Sequence, residues 1–434
     1  MSGIKSDVLV IGGGTAACVA AASAMEAGKK VTMVFPNGGS SEISGGAIDI
    51  LGVIPGEKPE ICEDYQEGIE AVLKEAPDHV YGKCKDSLES GVKTLVDLAE
   101  AGGYPMKGFD GKNVWVPNML GTFAVNAYVP EAMADGIVEP GKEARILVVG
   151  IKGNVTFNAK AAAMSYQKYQ EKLGGKATYF STEIHLTGWG DRRKISDGEL
   201  ADYLDTTEGK EELLTLIKTF CMNNRYAFDT ILFPPVLGYL KTQSIVAELK
   251  EVCGCKIAEV QALGNSVVGY RFTRAIYRAL EVKGIQMLKG SKVAKIEAVD
   301  QKVKADCVVG LTDQLHPGEG VEIEAAAAVL ATGGYIGGGI KARKTEVWIE
   351  LLDQNLGTLT TDQLTRDAIA PKGQQFMQLG VEVNEDLSVK EETWKGRLFA
   401  CGDVLAGHNF ANERSGAGIA AASAYLAGKH AAAV

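Results

Sequence analysis

The feature that most constrains the fold of this sequence is a glycine-rich turn between two short apolar segments near its start. Residues 8–11 (VLVI) and 31–35 (VTMVF) are nearly continuous apolar runs, as expected for parallel strands buried on both faces. Between them, Gly12, Gly14 and Ala17 match the pattern G-x-G-x-x-G/A. This pattern predicts a strand, a tight turn, a helix over about residues 15–27 and a second strand, with the diphosphate of a dinucleotide bound at the helix N-terminus.

One position departs from this pattern. In dinucleotide-binding units the second strand leads to an Asp or Glu, whose carboxylate binds the adenosine ribose. Here the strand ends in Phe35, whose side chain accepts no hydrogen bond, and Pro36 follows. Three alternatives stay open: Asn37 or Glu42 replaces the acid, the adenosine half is loosely held, or that half is absent.

Two further glycine-rich segments favour a flavin as the cofactor. The segment SSEISGGAIDI contains Ser44, Gly45 and Gly46, a turn of small residues whose backbone N–H groups suit a phosphate or an isoalloxazine ring. The segment AAAAVLATGGYIGGG, which follows the hairpin-like KVAKIEAVDQKVKADCVVGL, is an apolar strand that ends in Thr332 and Gly333. Such a strand is typical of two-dinucleotide-type flavoproteins, where the chain returns to the cofactor domain.

The last segment, LFACGDVLAGHNFANERSGAGIAAASAYLAGKHA, points to the same site. It predicts a strand that ends at Gly402 and Asp403, where the carboxylate can accept a hydrogen bond from a ribityl hydroxyl. A helix of small residues then begins near Gly416, and its first N–H groups are expected to stabilise the negative charge of a reduced flavin. The predicted cofactor-binding residues are Gly12, Gly14, Thr15, Ala16, Phe35, Asn37, Ser44, Gly45, Gly46, Ala331, Thr332, Gly333, Gly402, Asp403, Gly416 and Ala417.

The middle of the chain alternates between strand and helix patterns. Strands are expected at residues 144–153, 177–180, 229–239 and 256–260, with helices over about residues 158–173 and 242–251. Residues 102–126 resemble a loop and hairpin that covers a cleft. The predicted fold class is α/β, a Rossmann-like two-dinucleotide-type flavoprotein domain with an inserted second α/β lobe. The flavin domain then comprises residues 1–101 and 263–434, and the inserted lobe comprises residues 102–262.

Composition excludes several classes of function. The net charge of −10 and the lack of a Lys/Arg cluster argue against a nucleic-acid partner. The eight cysteines include no C-x-x-C pair, so we predict no metal site, and the close pair in CGC is expected to be two reduced thiols. No apolar run approaches the roughly 18–20 residues that span a bilayer, so a cytoplasmic location is expected, with any membrane contact made through a partner.

The sequence resembles the B-type subunits of the anaerobic glycerol-3-phosphate dehydrogenases, flavoproteins related to the succinate dehydrogenase and fumarate reductase group. The resemblance extends over nearly the whole chain. It is carried by GGGTAA, SGGAIDILG (residues 44–52), LVVGIKGNVTF (147–157), ILFPPVLG (231–238), NSVVGYRF (265–272), LATGGYIGGGI and GDVLAG. The SGGAID and PPxLG elements are more specific to that type of subunit than the general flavin motifs.

This resemblance implies a three-subunit complex. A sister flavoprotein would oxidise glycerol 3-phosphate to dihydroxyacetone phosphate, and an iron–sulfur subunit would pass the electrons to membrane quinone. The B-type subunit of the family is associated with FMN, which fits Phe35 because FMN lacks the adenosine ribose. The retained glycine turn instead favours a diphosphate, so we predict FAD, with FMN as the alternative. The binding residues carried over from the resemblance are Gly12, Gly14, Ser44, Gly45, Thr332, Gly333 and Asp403.

A flavin dehydrogenase also needs a base for the substrate hydroxyl and cations for the phosphate. The candidates are Arg271 and Arg274, expected to open a helix after the VVGY loop, and His408, Glu413 and Arg414 in the loop before the last helix. For each arginine, a surface ion pair is the competing interpretation. Three functions stay open: a catalytic subunit, an electron-transferring or scaffolding subunit, and a stand-alone flavin reductase of an activated alkene.

Overall fold

The computed structural model describes residues 3–139, 141–172, 174–190, 192, 194–223, 227–264, 266–309, 319–360, 364 and 373–434. Leu173, Asn265 and residues 310–311, which belong to predicted elements or motifs, lie outside the described residues. The chain forms two compact units. The first comprises residues 1–42, 48–103 and 273–434, and the second comprises residues 43–47 and 104–272. The second unit therefore shares residues 104–262 with the predicted inserted lobe and adds residues 43–47 and 263–272.

The strands of the described residues, in chain order, are β1 Ile4–Ile11, β2 Val31–Phe35, β3 Val53–Ile54, β4 Glu60–Ile61, β5 Met106–Gly108, β6 Val114–Pro117, β7 Phe123–Asn126, β8 Tyr128–Pro130, β9 Arg145–Ile151, β10 Thr178–Ile184, β11 Thr230–Phe233, β12 Lys256–Glu259, β13 Gln286–Lys289, β14 Lys292–Val299, β15 Lys302–Val309, β16 Glu319–Leu330, β17 Lys341–Arg343, β18 Glu346–Ile349, β19 Gln354–Thr358 and β20 Leu398–Ala400.

The α-helices of the described residues are α1 Thr15–Glu26, α2 Gly39–Glu42, α3 Tyr65–Glu75, α4 Tyr81–Cys84, α5 Leu88–Ala101, α6 Glu131–Ala134, α7 Ala159–Lys172, α8 Asp197–Leu204, α9 Thr207–Asn223, α10 Thr242–Cys253, α11 Val267–Val282, α12 Phe410–Glu413 and α13 Gly416–Ala433. No helix in this part of the chain is both long enough and apolar enough to cross a membrane.

A seven-stranded sheet forms the centre of the first unit. Its order is β13-β2-β1-β16-β15-β14, and β20 also pairs with β16. Strands β13, β2, β1, β16 and β20 run parallel, whereas β15 and β14 form an antiparallel hairpin at one edge. Because β1 and β2 are buried on both faces where they pair, the paired segments are almost entirely apolar, with Thr32 as the exception, rather than alternating.

Helices α1, α5 and α13 pack closely in the first unit because small residues line their contacts. A Cβ atom on Gly428 of α13 would overlap with the carbonyl oxygen of Ala20 in α1. A Cβ atom on Gly91 of α5 would overlap with the carbonyl oxygen of Ala421 in α13. The Ser23 hydroxyl of α1 donates a hydrogen bond to the carbonyl of Tyr425, at 2.8 Å. The Ala- and Gly-rich composition of these helices is therefore a requirement of packing.

The second unit contains a four-stranded parallel sheet with the order β10-β9-β11-β12. Helix α7 connects β9 to its neighbour β10 on one side, and α8 and α9 connect β10 to β11 on the other side of β9. Two apolar cores form from the sheet and its helices, one around Leu147 and Phe233 and the other around Val148 and Tyr166. This arrangement is the α/β lobe that the alternating pattern predicts.

Most of the predicted elements are confirmed, and one is wrong. The helix expected at residues 15–27, the strand at 144–153 and the helix at 242–251 correspond to α1, β9 and α10. The VVGY residues, expected to be a loop, instead form the first turn of α11, which begins at Val267. The Ser266 hydroxyl accepts a hydrogen bond from the Gly269 N–H at 2.9 Å and so starts this helix earlier than the sequence suggests.

Replacing Gly428 by Ala should destabilise the first unit by about 1–3 kcal/mol, because the added methyl group overlaps with backbone atoms of α1. Urea denaturation followed by circular dichroism would measure this loss. The matched control is Gly56→Ala, where the nearest atom to the new Cβ would be 3.9 Å away. Equal unfolding midpoints for the two variants would contradict the close packing of α1 and α13.

Candidate functional site

The carboxyl ends of three neighbouring strands meet in the first unit. Gly12 follows β1, Ala331 follows β16, and Cys401 follows β20. The Ala331 N–H donates to the Ile11 carbonyl at 2.9 Å, and the Cys401 N–H donates to the Leu330 carbonyl at 3.0 Å. In open α/β sheets, ligands bind outside this edge.

Glycines line this edge because the backbone segments approach too closely for side chains. Gly12 has a φ of 137°, and a Cβ there would overlap with the Ala331 carbonyl. Gly402 has a φ of 75°, and a Cβ there would lie 2.7 Å from the Cβ of Ala16. Gly333, which lies after β16, also has a positive φ, of 74°. The predicted glycines thus form a cradle in which, at their own positions, backbone atoms rather than side chains can face a ligand.

An unpaired hydroxyl lies at the same edge. The Thr332 Oγ1 atom is buried and has no hydrogen-bond partner among the described residues. Buried polar atoms are rarely left without a partner, so a missing ligand is one explanation of this one. The residues present therefore fit a bound cofactor with polar groups at this edge.

The N-terminus of α1 lies beside a serine that the motif analysis missed. The Thr15 N–H donates to the Ser41 hydroxyl at 2.9 Å, and the two hydroxyls lie 2.8 Å apart. Gly14, the residue before the helix, contributes no side chain to the cap. Ser41 thus belongs to the place where a diphosphate is expected, and the short serine-rich α2 after β2 was the available signal.

Phe35 fills space beside the glycine turn. Its ring is buried against Tyr277, with the ring centroids 5.1 Å apart, and a Cβ on Gly13 would lie 2.5 Å from it. The Tyr277 hydroxyl donates to the Gly13 carbonyl at 2.7 Å. The role of Phe35 here is steric, and its predicted contact with the cofactor remains a prediction.

Both candidate replacements for the missing acid bind their own loop. The Asn37 Oδ1 accepts the Gly39 N–H, and the Glu42 Oε2 accepts the Gly38 N–H, each at 3.0 Å. These oxygens stabilise the turn after β2, so neither residue is left wholly available for a ribose.

The N-terminus of α13 is capped by a carboxylate that the motif analysis also missed. The Ala417 N–H donates to Asp49 Oδ1 at 2.9 Å, and the Gly418 N–H donates to the Asp49 carbonyl at 2.8 Å. Burial raises the pKa of the Asp49 carboxyl; the Ala417 hydrogen bond offsets part of this, and the nearby Asp403 charge adds to it. The first N–H groups of α13 therefore meet an acidic side chain in this structure, and their predicted contact with a flavin remains a prediction.

The predicted residues Ser44, Gly45 and Gly46 belong to the second unit. The Ser44 carbonyl accepts a hydrogen bond from the Ser266 hydroxyl at 2.6 Å, and the Gly46 carbonyl accepts one from the Tyr104 hydroxyl at 3.1 Å. A Cβ on Gly45 would lie 2.9 Å from the Ala262 carbonyl. The small residues are therefore required by packing within that unit, and their cofactor role remains a prediction.

Glu413 lies at the centre of a buried hydrogen-bond network in the first unit. Its carboxylate accepts the Ser415 hydroxyl and the Asn409 N–H, each at 2.8 Å, and contacts His79 Nε2 at 3.2 Å. His79 Nδ1 accepts the Tyr81 N–H at 3.2 Å, which leaves the imidazole proton on Nε2, facing Glu413. Glu413 thus holds the loop before α13 in place, and His79 is the partner that the sequence did not reveal.

Two opposing effects act on the pKa of the Glu413 carboxyl. Burial by itself would raise this pKa, but the hydrogen bond with His79 and the one from the Asn409 N–H act against burial, and the pKa is lowered. The carboxylate therefore stays ionised in its buried position, and a buried ionised group fixed by three donors is suited to positioning its neighbours.

His408 and Arg414 flank this network. His408 is buried; its Nε2 lies 3.9 Å from the nearest Asp403 oxygen, and its Nδ1 has no hydrogen-bond partner among the described residues. Arg414 is exposed and has a φ of 54°, and its carbonyl accepts the Gly52 N–H at 3.0 Å. The structure thus brings a buried imidazole, a carboxylate and a cation to one loop of the first unit.

The two arginines of α11 differ in their surroundings. Arg271 is buried in the second unit and forms a two-pronged ion pair with Glu259, at 2.6 and 3.1 Å, and its Nε donates to the Gly238 carbonyl at 2.6 Å. This guanidinium is engaged by the fold, so we assign it a structural role. Arg274 belongs to the first unit and is exposed on α11. Within the described residues, no group of three His, Cys, Asp or Glu is arranged to hold a metal ion.

Comparison with known proteins agrees with this geometry. Residues 7–419 match the family described as FAD binding domain. The chain is 25% identical over 427 residues to the B-type subunit of the anaerobic glycerol-3-phosphate dehydrogenase of Vibrio cholerae, covering 97% of this chain and 95% of the relative. It is 28% identical over 447 residues to the probable B-type subunit of the Halobacterium salinarum enzyme, covering 99% and 98%. Among solved structures, a quinol fumarate reductase of E. coli aligns with all of this chain and 71% of that chain, at 11% identity and a TM-score of 0.42.

The chain therefore belongs to the FAD binding domain family and is a flavin-dependent oxidoreductase with FAD as its cofactor. The predicted fold class, a Rossmann-like two-dinucleotide-type flavoprotein domain with an inserted α/β lobe, is confirmed. The resemblance inferred from the motifs is confirmed as well, since relatives named as B-type subunits of anaerobic glycerol-3-phosphate dehydrogenase match nearly the whole chain.

Replacing Arg271 by Met should destabilise the protein by about 3–5 kcal/mol, because the Glu259 carboxylate would stay buried without its counter-ion. Chemical denaturation measures the loss, and the double change Arg271→Met with Glu259→Leu should recover part of it. The control is Lys93→Met, which removes an exposed ion pair with Asp97 and should leave the unfolding midpoint unchanged. A fully stable R271M protein would contradict the structural role.

Replacing Glu413 by Gln should cost about 1–3 kcal/mol at pH 7, because His79, Ser415 and the Asn409 N–H lose a charged acceptor. The folded-state pKa of Glu413 is lowered, so its contribution is complete above the ordinary value of 4.5 and is lost as the pH falls through the folded value. The difference in unfolding free energy between native protein and E413Q should therefore shrink towards acid pH. Glu89→Gln, on the exposed face of α5, should show no such dependence.

Proposed function

We propose that this chain is the FAD-containing subunit of an anaerobic glycerol-3-phosphate dehydrogenase complex and that it oxidises glycerol 3-phosphate to dihydroxyacetone phosphate at its own site. The relatives that carry this name match the chain from end to end. The observation that carries the catalytic part is His408, a buried imidazole in the first unit with one nitrogen that has no hydrogen-bond partner in the described part of the chain.

His408 is suited to act as the base for the substrate hydroxyl. Its Nδ1 is the unpartnered atom and can accept a proton, while Asp403 lies 3.9 Å from Nε2 and would stabilise the positive charge that results. A carboxylate beside one ring nitrogen also favours the tautomer that leaves the other nitrogen free to accept. The Asp403 carboxylate would thus act through His408, beside its predicted role with the ribityl chain.

Arg414 is the proposed partner of the substrate phosphate. A guanidinium binds phosphate oxygens through two parallel N–H donors, and its charge opposes that of the dianion. The Arg414 backbone is fixed by the Gly52 N–H on its carbonyl and by its own N–H on the Phe410 carbonyl, at 3.0 and 2.9 Å. Glu413, the preceding residue, anchors this loop and serves as a positioning residue.

The glycine cradle would hold the cofactor. Gly12, Gly14 and the paired hydroxyls of Thr15 and Ser41 would bind the diphosphate, and Thr332 would supply a polar contact at the neighbouring strand end. Bound FAD would supply the two-electron acceptor for the oxidation.

The remaining part of the proposal concerns partners. The relatives are named as subunits, so we include in the proposed complex a sister flavoprotein and an iron–sulfur subunit that passes electrons to membrane quinone. The chain would then work in the cytoplasm at the membrane surface, held there by a partner subunit.

Anaerobic mixing of the FAD-loaded chain with glycerol 3-phosphate should bleach the flavin absorbance and yield dihydroxyacetone phosphate. Changing His408 to Asn should slow this bleaching by about 100-fold or more, because the substrate hydroxyl loses its base. Changing Arg414 to Gln should mainly raise the substrate concentration needed for half-maximal rate. Stopped-flow absorbance and a coupled assay of the product measure both effects.

The control variants are His185→Asn and Arg278→Gln, which change an exposed histidine of the second unit and an exposed arginine of α11. Both should behave as the native chain does, and FAD content should be equal in all variants. If the native flavin is bleached by a low-potential donor but not by glycerol 3-phosphate, the catalytic proposal fails and an electron-transferring subunit is favoured. Reduction of an activated alkene by the isolated chain would instead favour a stand-alone reductase.

A further inference from the structure

Three of the eight cysteines lie together in the second unit, whereas the proposed active site belongs to the first unit. Cys221 is in the last turn of α9, Cys253 is the last residue of α10, and Cys255 directly precedes β12. All three pack against the same apolar core, which also holds α9 and α10 together. The thiols are close enough for Cys253 to interact with both Cys221 and Cys255.

The chain geometry favours one pair among the three. Cys253 and Cys255 are separated by Gly254, which ends α10 in the left-handed conformation with a φ of 64°. Two residues span at most about 7 Å between Cα atoms, which is within reach of a disulfide. No atom of the described residues lies within 4 Å of a Cβ built on Gly254, so among these residues the turn has room to adjust.

Exposure also separates this group from the other cysteines. Cys221, Cys253 and Cys255 are partly exposed, whereas Cys18, Cys62, Cys84, Cys307 and Cys401 are buried. A thiol must be reachable before it can react with a molecule in solution, so the three are the reactive candidates of the chain.

The charges near the group distinguish the two thiols of the favoured pair. The hydrogen bond that Cys255 receives from Cys253 lowers the pKa of Cys255; burial and the Asp229 charge oppose this shift. The same interaction with Cys255 raises the pKa of Cys253, and burial and Cys221 raise it further. Cys255 is therefore the thiol of the pair that ionises more readily, and Cys253 the one that holds its proton more firmly.

We propose that Cys255 and Cys253 form a thiol–disulfide exchange site that reacts with low-molecular-weight disulfides. The Cys255 thiolate attacks one sulfur of R–S–S–R and displaces one thiolate, RS⁻, which leaves a mixed disulfide on Cys255. The Cys253 sulfur then attacks Cys255 Sγ, releases the second group as RSH with the proton of Cys253, and closes a Cys253–Cys255 disulfide. Two protein thiols are oxidised and one external disulfide is reduced to two thiols.

The test uses the folded chain and the aromatic disulfide 5,5′-dithiobis(2-nitrobenzoate), whose released thiolate is coloured. In the native protein, the Cys253–Cys255 pair should release two coloured thiolates and retain no adduct, and peptide mapping should find Cys253 joined to Cys255; any lasting adduct should lie on Cys221. The Cys253→Ser variant should release one and keep the adduct on Cys255. The Cys255→Ser variant should react at about one tenth of the native rate, or more slowly still.

The matched control is Cys221→Ser, which changes a partly exposed thiol of the same group and should leave two thiolates released and the mapped disulfide unchanged. Circular dichroism on each variant verifies that it is folded. The proposal is overturned if Cys253 or Cys255 of the native chain keeps a stable adduct, if the mapped disulfide includes Cys221, or if C255S reacts as fast as the native protein. This outcome is independent of the proposed dehydrogenase activity, since neither flavin nor glycerol 3-phosphate takes part.

Discussion

The close approach of backbone segments at the carboxyl ends of β1, β16 and β20 is the constraint on which the rest of the site depends. Three parallel strands side by side bring the turns that come after them together, and at Gly12 and Gly402 these turns leave no room for a Cβ atom. The same closeness continues into the helices, where small residues let α1 and α13 pack backbone to backbone. A chain that formed the same sheet with larger residues at these positions would place their side chains at this edge, where a ligand is expected.

The helix N-termini at this edge are already provided with oxygen atoms. Ser41 accepts from the first turn of α1, and Asp49 accepts from the first turn of α13. Each oxygen satisfies an N–H group that would otherwise be left without a partner at the start of a helix. The two caps differ chemically, because a hydroxyl can also donate to a phosphate, whereas an ionised carboxylate repels negative charge. Burial raises the pKa of the Asp49 carboxyl, so its charged form is less favoured there than in water.

Much of this fold could be predicted because the signals are local. Glycine spacing, apolar runs and small-residue helices predict β1, α1, β2 and α13 within a few residues, and the alternating pattern predicts the sheet of the second unit. The partners across long sequence separations could not be predicted. His79 meets Glu413 from a separation of 334 residues, and Asp49 reaches Ala417 from 368. The buried ion pair of Arg271 with Glu259 could not be predicted either. The sequence does not show whether the partner of an arginine is a substrate or a buried carboxylate of the same chain.

Phe35 shows why a motif can lose one residue and still mark the same cofactor. The glycine turn and the acid after β2 act on different parts of a dinucleotide, the diphosphate and the adenosine ribose. Here the turn is kept, and its Gly13 carbonyl and Cα are covered by Tyr277 and Phe35. These two rings stabilise the turn by packing, so its shape does not depend on the acid. Membership of the FAD binding domain family is therefore compatible with an aromatic residue at this position, because the absence of the carboxylate leaves the glycine turn itself unchanged.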